Sequence, residues 1–164
     1  MALSEQQLTD LYYEHADTVY RVCFTYLKGH KADAEDAVQT TFLNLLRKGL
    51  PKNIESAKAW LITCGLNNCK NIVTRSHRRD APLEDCYTRP DERDETLELI
   101  LRLPRALRLS LYLHYYEGYT AAEIGKALDK SESTVWGYLH KGRNALKKQL
   151  MEESYHETRS ATSI

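Results

Sequence analysis

The stretch Tyr119–Leu150, YTAAEIGKALDKSESTVWGYLHKGRNALKKQL, constrains this chain more than any other, because two helix-start signals flank one short break. Thr120 stands three residues before Glu123, the spacing at which a hydroxyl and a carboxylate satisfy each other's free backbone N–H groups at a helix N-terminus. Ile124 and Leu128 then share one helical face. The pattern stops at Asp129-Lys130-Ser131, where Asp tolerates a turn conformation and Ser131 is a good N-cap for a second helix from Glu132. In that helix Val135, Leu139, Gly142 and Leu146 recur at helical spacing, while Lys141, Arg143, Lys147 and Lys148 fall outside the stripe. Two capped helices, a tight turn and a basic outer face are the pattern of a helix-turn-helix. An amphipathic hairpin with a lysine-rich face would share caps and charge, so periodicity alone leaves DNA binding open.

Every other periodic segment is also helical, and no strand alternation occurs. Leu8, Leu11, Tyr12, Val19, Cys23, Tyr26 and Leu27 form one apolar stripe on a helix of about residues 4–28, which Gly29-His30 ends. A second helix holds Asp33 near its start, turns Ala34, Ala37, Val38, Leu45 and Leu46 inward, and stops before Gly49. A third, from about Ser56 to His77, buries Trp60, Leu61, Cys64 and Ile72, closing a three-helix N-terminal domain. The segment DAPLEDCYTRPDER, with two prolines and no stripe, reads as a linker. Helices resume near Asp94, with Leu97, Ile100, Leu101, Leu107, Leu111 and Leu113 supplying apolar faces around Pro104. The terminal SYHETRSATSI is polar and aperiodic, which predicts a frayed tail.

Charge is informative only by location. The chain of 164 residues carries 23 acidic and 23 basic side chains, so its net charge hides any polyanionic partner. Residues 67–79 hold Lys70, Arg75, Arg78 and Arg79 with no acid, whereas residues 80–96 hold seven acids against Arg89 and Arg93. The four cysteines show no CxxC or CxxH pairing, so neither a zinc site nor a disulfide framework is signalled, and Cys23, Cys64 and Cys69 read as small core residues. His114 and Glu117 have helical metal-ligand spacing, but two ligands without a third are matched by an ordinary polar helix face. No metal or cofactor is expected. The absence of a signal peptide or a long apolar run predicts a cytoplasmic protein without a membrane segment.

The span LPRALRLSLYLHYYEGYTAAEIGKAL, followed by S-x-S-T-V and LHKGRNALK, resembles region 4 of the extracytoplasmic-function (group 4) sigma-70 family of RNA polymerase sigma factors. The N-terminal part resembles region 2 of the same family: Leu11-Tyr12 with His15, Val19-Tyr20-Arg21, the segment DAEDAVQ from Asp33 to Gln39 with Phe42, and Ala59-Trp60-Leu61. The resemblance implies an all-α fold of two small helical domains joined by an acidic linker. Residues 1–79 would be a region 2 three-helix bundle for core polymerase docking, −10 recognition and melting. Residues 80–93 would be the linker, 94–153 a region 4 helix-turn-helix for −35 recognition, and 154–164 a disordered tail.

The resemblance also assigns surfaces. Glu35, Asp36, Gln39, Thr40 and Phe42 would dock on the clamp helices of the polymerase beta-prime subunit, with region 4 at the beta flap. An acidic, amide-bearing edge with an apolar anchor suits a basic helical partner, although Asp33, Glu35 and Asp36 also complement the helix dipole. Thr40 stands where relatives commonly carry Glu, making the edge less acidic. Lys52, Asn53, Asn67, Asn68, Lys70, Asn71, Arg75, Arg78 and Arg79 would capture and hold −10 DNA, because an unpaired base needs polar edges and its phosphates need cations. A solvated face is the alternative for the Asn cluster, but Asn is a poor helix former. Trp60 reads as core. At the −35 element Glu132, Ser133, Thr134, Trp136, Gly137 and Tyr138 would form the reading end, with His140, Lys141 and Arg143 on the backbone.

Positions 136 and 138 commonly carry Lys and Arg in relatives. Trp and Tyr here predict either weaker, less salt-sensitive −35 binding or apolar contacts to thymine methyls, and an exposed Trp could also anchor a protein. The linker would thread toward the RNA exit channel or act as a simple tether. The family implies core RNA polymerase and promoter DNA as partners, an anti-sigma factor supplied in trans, and no catalysis by the chain itself. Two other readings remain: a stand-alone dimeric helix-turn-helix regulator, and a sigma-like interaction module that has lost promoter recognition.

Overall fold

The computed structural model describes residues 3–54, 56–76 and 95–162, which form seven α-helices and no strand. The chain divides into two compact units, Met1–Thr88 and Arg89–Ile164. Arg78, Arg79, Cys86 and the expected linker at 80–93 lie outside the described residues.

In the first unit, α1 (Glu5–Tyr26), α2 (Lys31–Lys48) and α3 (Ala57–Ser76) pack pairwise around one core. A capping box starts α1: Ser4 Oγ accepts from the Gln7 amide at 3.1 Å, and Gln7 Oε1 accepts from the Ser4 amide at 3.0 Å. Its end is a left-handed turn at Lys28 (φ 56°) and Gly29 (φ 85°), where the Gly29 amide reaches back to the Phe24 carbonyl at 2.9 Å. Gly49 (φ 69°) ends α2. Val19, Val22, Cys23, Ala34, Ala37, Leu45, Leu61, Ile62 and Cys69 are fully enclosed. Gly65 permits the close approach of α3 to α1, since a Cβ there would lie 3.0 Å from Val19 and 3.1 Å from Cys23. Cys23 and Cys69 are buried as expected, whereas Cys64 is half-buried.

Two residues expected inside are outside. Tyr12 is 47 % exposed and Leu46 57 %, because three short helices cover only part of each neighbour's apolar stripe. Trp60 and Ile72 are half-buried rather than enclosed.

The second unit contains α4 (Glu95–Leu101), α5 (Arg105–Tyr115), α6 (Ala121–Leu128) and α7 (Glu132–Thr162). Its core joins Ile100, Leu101, Leu111, Leu113, Ile124, Val135 and Leu139. Arg108 is buried and donates from Nη1 to the Leu103 carbonyl at 3.1 Å, tying α5 to the turn at Pro104. A Cβ at Gly142 would meet Leu111 at 2.9 Å, so this glycine lets α7 lie close on α5. The tail predicted to fray from residue 154 is instead the last part of α7, which runs unbroken to Thr162. Extending an existing helix adds one hydrogen bond per residue fixed, so a polar segment of helix-tolerant residues continues what the core has nucleated.

Candidate nucleic-acid and partner surfaces

Each unit presents surfaces built by local sequence rules. On α6, Thr120 Oγ1 accepts from the Glu123 amide at 3.2 Å and Glu123 Oε1 accepts from the Thr120 amide at 3.3 Å, completing the expected capping box. Asp129 ends the helix in the left-handed conformation (φ 56°), and the Lys130 amide bonds to the Gly125 carbonyl at 2.9 Å. The turn is so tight that a Cβ at Gly125 would fall 2.6 Å from the Lys130 carbonyl oxygen. Ser131 Oγ then accepts from the Thr134 amide at 3.1 Å and caps α7.

With Val135 and Leu139 buried, the rest of the first turns of α7 faces outward. Glu132, Ser133, Thr134, Trp136, Gly137, His140, Lys141 and Arg143 are exposed, and Tyr138 is half-buried. The Thr134 hydroxyl lies 2.7 Å from that of Ser131, so part of its capacity is spent on the cap. Trp136 is 50 % exposed, and nothing lies within 4 Å of where a Gly137 side chain would start. The outer face of this helix is therefore an aromatic group beside a notch, followed by cations. Arg143 is not free: its Nε donates to the Tyr115 hydroxyl at 2.6 Å.

On α3, Asn67, Lys70, Asn71 and Arg75 are exposed at spacings of three and four, and therefore share one helical face. Lys52 and Asn53 are exposed in the loop between α2 and α3. Asn68 departs from expectation: it is 9 % exposed and donates from Nδ2 to Thr41 Oγ1 at 2.9 Å, while Thr41 donates to the Ala37 carbonyl at 2.7 Å. It is a packing residue that joins α3 to α2, not part of the outward amide face. A hundred degrees of helix rotation separates it from Asn67, and only packing shows which of the two faces out.

On α2, Glu35, Asp36 and Gln39 are exposed along one edge, and Thr40 is half-buried with its hydroxyl on the Asp36 carbonyl at 3.0 Å. Phe42, expected as an apolar anchor for the partner, does not project from the helix. It is 8 % exposed, its ring packed edge-on to Tyr12 at 5.1 Å between centroids. Instead it forms part of the floor of an apolar trough of about 480 Å³ lined also by Leu8, Tyr12, Tyr13, Gln39, Leu43 and Leu46. Sequence reasoning missed this trough because a stripe of Leu and Tyr at helical spacing reads as core whether or not a neighbour covers it. The surplus of apolar residues on α2, with Leu43 and Leu46 beside the Phe42 stripe, was the available signal.

His114 and Glu117 are occupied within the fold. His114 Nδ1 lies 2.8 Å from the Tyr119 carbonyl oxygen, which can only accept, so Nδ1 carries the proton; Glu117 Oε1 accepts from the Tyr112 hydroxyl at 3.1 Å. Burial, with the nearby Glu117 and Glu123 carboxylates, pushes the Tyr119 phenol above its ordinary range. Burial likewise pushes the Cys64 thiol up, partly offset by Lys48, so this thiol is held neutral. Among the described residues no cluster of three or more His, Cys, Asp or Glu could hold a metal ion, and no helix is long and apolar enough to cross a membrane.

Comparison with known proteins matches residues 11–79 to the family model "Sigma-70 region 2" and residues 93–146 to "Sigma-70, region 4". The chain is 30 % identical over 159 residues to the ECF RNA polymerase sigma factor SigL of Mycobacterium tuberculosis, covering 87 % of this chain and 88 % of that protein. It is also 30 % identical over 167 residues to SigE of Mycolicibacterium smegmatis, covering 93 % of this chain but 65 % of the relative. Among solved structures, the sigma factor RpoE in complex with the anti-sigma factor NepR from Bartonella quintana matches with a TM-score of 0.71 at 16 % identity, covering 87 % of this chain and 96 % of that one. CnrH in complex with the cytosolic domain of CnrY matches with a TM-score of 0.66 at 21 % identity, covering 91 % and 90 %.

Proposed function

Because the chain belongs to the extracytoplasmic-function group of the sigma-70 family, we infer that it is an alternative sigma factor that binds core RNA polymerase and directs initiation at its own promoters. The observation that carries this reading is the pairing, on one chain and in family order, of a region 2 unit with a region 4 unit whose capped second helix has its outer face open. A stand-alone dimeric regulator is not favoured, since it has no use for the first unit.

The work divides between the units. Residues 1–79 dock on polymerase and engage the −10 element, 80–93 connect, and 94–153 engage the −35 element. Glu35, Asp36 and Gln39, with Thr40 beside them, meet the beta-prime clamp helices. The trough next to Gln39 supplies the apolar area that a charged edge alone lacks. Lys52, Asn53, Asn67, Lys70, Asn71 and Arg75, joined by Arg78 and Arg79, hold the opened −10 strand, with amides on base edges and cations on phosphates. Glu132, Ser133, Thr134, Trp136, Gly137 and Tyr138 read the −35 site, and His140, Lys141 and Arg143 track its backbone.

The chain catalyses nothing and acts in the cytoplasm. An anti-sigma factor acting in trans holds it inactive, a reading supported by the solved complex of RpoE with the anti-sigma factor NepR. Run-off transcription with purified core polymerase on a randomised promoter library tests the reading. Protein-dependent transcripts sharing two spaced motifs are expected. Core binding without any such transcript would reduce the chain to an interaction module, and loss of both would refute the assignment.

A further inference from the structure

Arg143 reaches across 28 residues of sequence to Tyr115, at the end of α5. Its Nε donates to the Tyr115 hydroxyl at 2.6 Å, and its guanidinium carbon lies 5.7 Å from the centre of the same ring. Tyr115 is 56 % exposed, so this contact is not core packing. The ring is itself held: His114 meets it edge-on at 4.9 Å, and His114 is anchored through Nδ1 to the Tyr119 carbonyl. A chain of contacts therefore runs from the start of the helix-turn-helix through two side chains to a cation on its second helix.

An arginine on a helix surface samples many rotamers, and closing it on a phosphate costs that freedom. Here one N–H is committed, and the two terminal nitrogens, the edge that pairs with two oxygens at once, remain for an outside acceptor. Lys147 is exposed four residues after Arg143, so the held guanidinium shares its face of α7 with a second cation.

We propose that Tyr115 is a positioning residue for duplex binding: it pre-sets the Arg143 guanidinium for a backbone phosphate at the −35 site while lying outside the recognition helix itself. This rests on the −35 reading above.

The test is promoter-DNA binding by the reconstituted holoenzyme across a range of salt, with wild type, Tyr115→Phe, Arg143→Ala and the double variant. Tyr115→Phe keeps the ring and removes the hydroxyl; ordering one long side chain corresponds to a loss of roughly 3- to 10-fold in affinity. Arg143→Ala should lose more and flatten the log-log salt slope by about 0.9. In the Arg143→Ala background Tyr115→Phe should cost nothing further. Arg143→Lys, which keeps the charge without the planar fork, should resemble Tyr115→Phe in affinity while retaining the salt slope.

An equal loss from Tyr115→Phe in both backgrounds would overturn the inference by making Tyr115 a direct contact. Unchanged binding would overturn it too. Tighter binding by Tyr115→Phe would show that Tyr115 sequesters Arg143 from DNA. If wild-type holoenzyme binds no promoter, the −35 reading falls and the inference with it, which separates that failure from the others.

Discussion

Replacing Gly125 by alanine should damage the second unit, and the same change at Gly137 should strengthen it. At 125 the new methyl would stand 2.6 Å from the Lys130 carbonyl oxygen, closer than carbon and oxygen pack, and the obstacle is backbone rather than a side chain that can swing away. Relief requires opening the turn, which also strains the Lys130 amide bond to the Gly125 carbonyl at 2.9 Å. Overpacking and a weakened hydrogen bond, less the gain in helix propensity of alanine over glycine, leave a net loss of about 2 kcal/mol. For a unit of this size that corresponds to a melting temperature lower by about 10 °C. At 137 nothing lies within 4 Å of the new methyl, so only the propensity remains, a gain of about 0.8 kcal/mol.

The chain's two tryptophans make the experiment direct, since Trp60 lies in the first unit and Trp136 in the second. In a Trp60→Phe background, Trp136 fluorescence follows the second unit alone during heating. Gly125→Ala melting at the wild-type temperature, or Gly137→Ala melting below it, would refute the packing argument.

Asp36→Arg with Gln39→Arg should abolish co-elution with core polymerase on gel filtration, and Leu46→Glu should weaken it without lowering the melting temperature, since Leu46 is 57 % exposed. Asn67→Ala with Lys70→Ala should impair open-complex formation, read by permanganate, more than closed binding in a gel shift. Asn68→Ala should act differently, costing about 1–3 kcal/mol of stability by removing a buried hydrogen bond to Thr41, as measured by urea unfolding. Trp136→Ala should change the −35 preference in a selection from random sequence; an unchanged profile would remove Trp136 from the reading end. The raised Tyr119 phenol favours its neutral form in the folded state, so its contribution is full below the ordinary value of 10.0 and is lost as pH rises through the higher folded value. Tyr119→Phe should therefore flatten the fall in urea midpoint above that pH.

Local rules made much of this protein legible. Thr120 with Glu123, Ser131, Gly29 and Gly49 mark helix boundaries because capping and left-handed turns involve residues within a few positions of one another, and those interactions survive whatever the rest of the chain does. Ser131 and the Val135–Leu139 stripe likewise orient α7, which is why its outer residues could be named in advance. The family motifs in regions 2 and 4 are equally local.

Tertiary packing decided what depends on neighbours far along the chain. Asn67 and Asn68 are chemically identical, and only Thr41, 27 residues before Asn68, turns one of them inward. Tyr12 and Leu46 carry the periodicity of core residues, yet three helices leave that end of the stripe uncovered and a trough results. Phe42 could not be read as its floor without Tyr12 against it. The bond between Arg143 and Tyr115 spans two helices that meet only after the unit has folded. Periodicity fixes which residues share a face; which face is covered, and which side chains meet across it, follows from how helices distant in sequence fill one core.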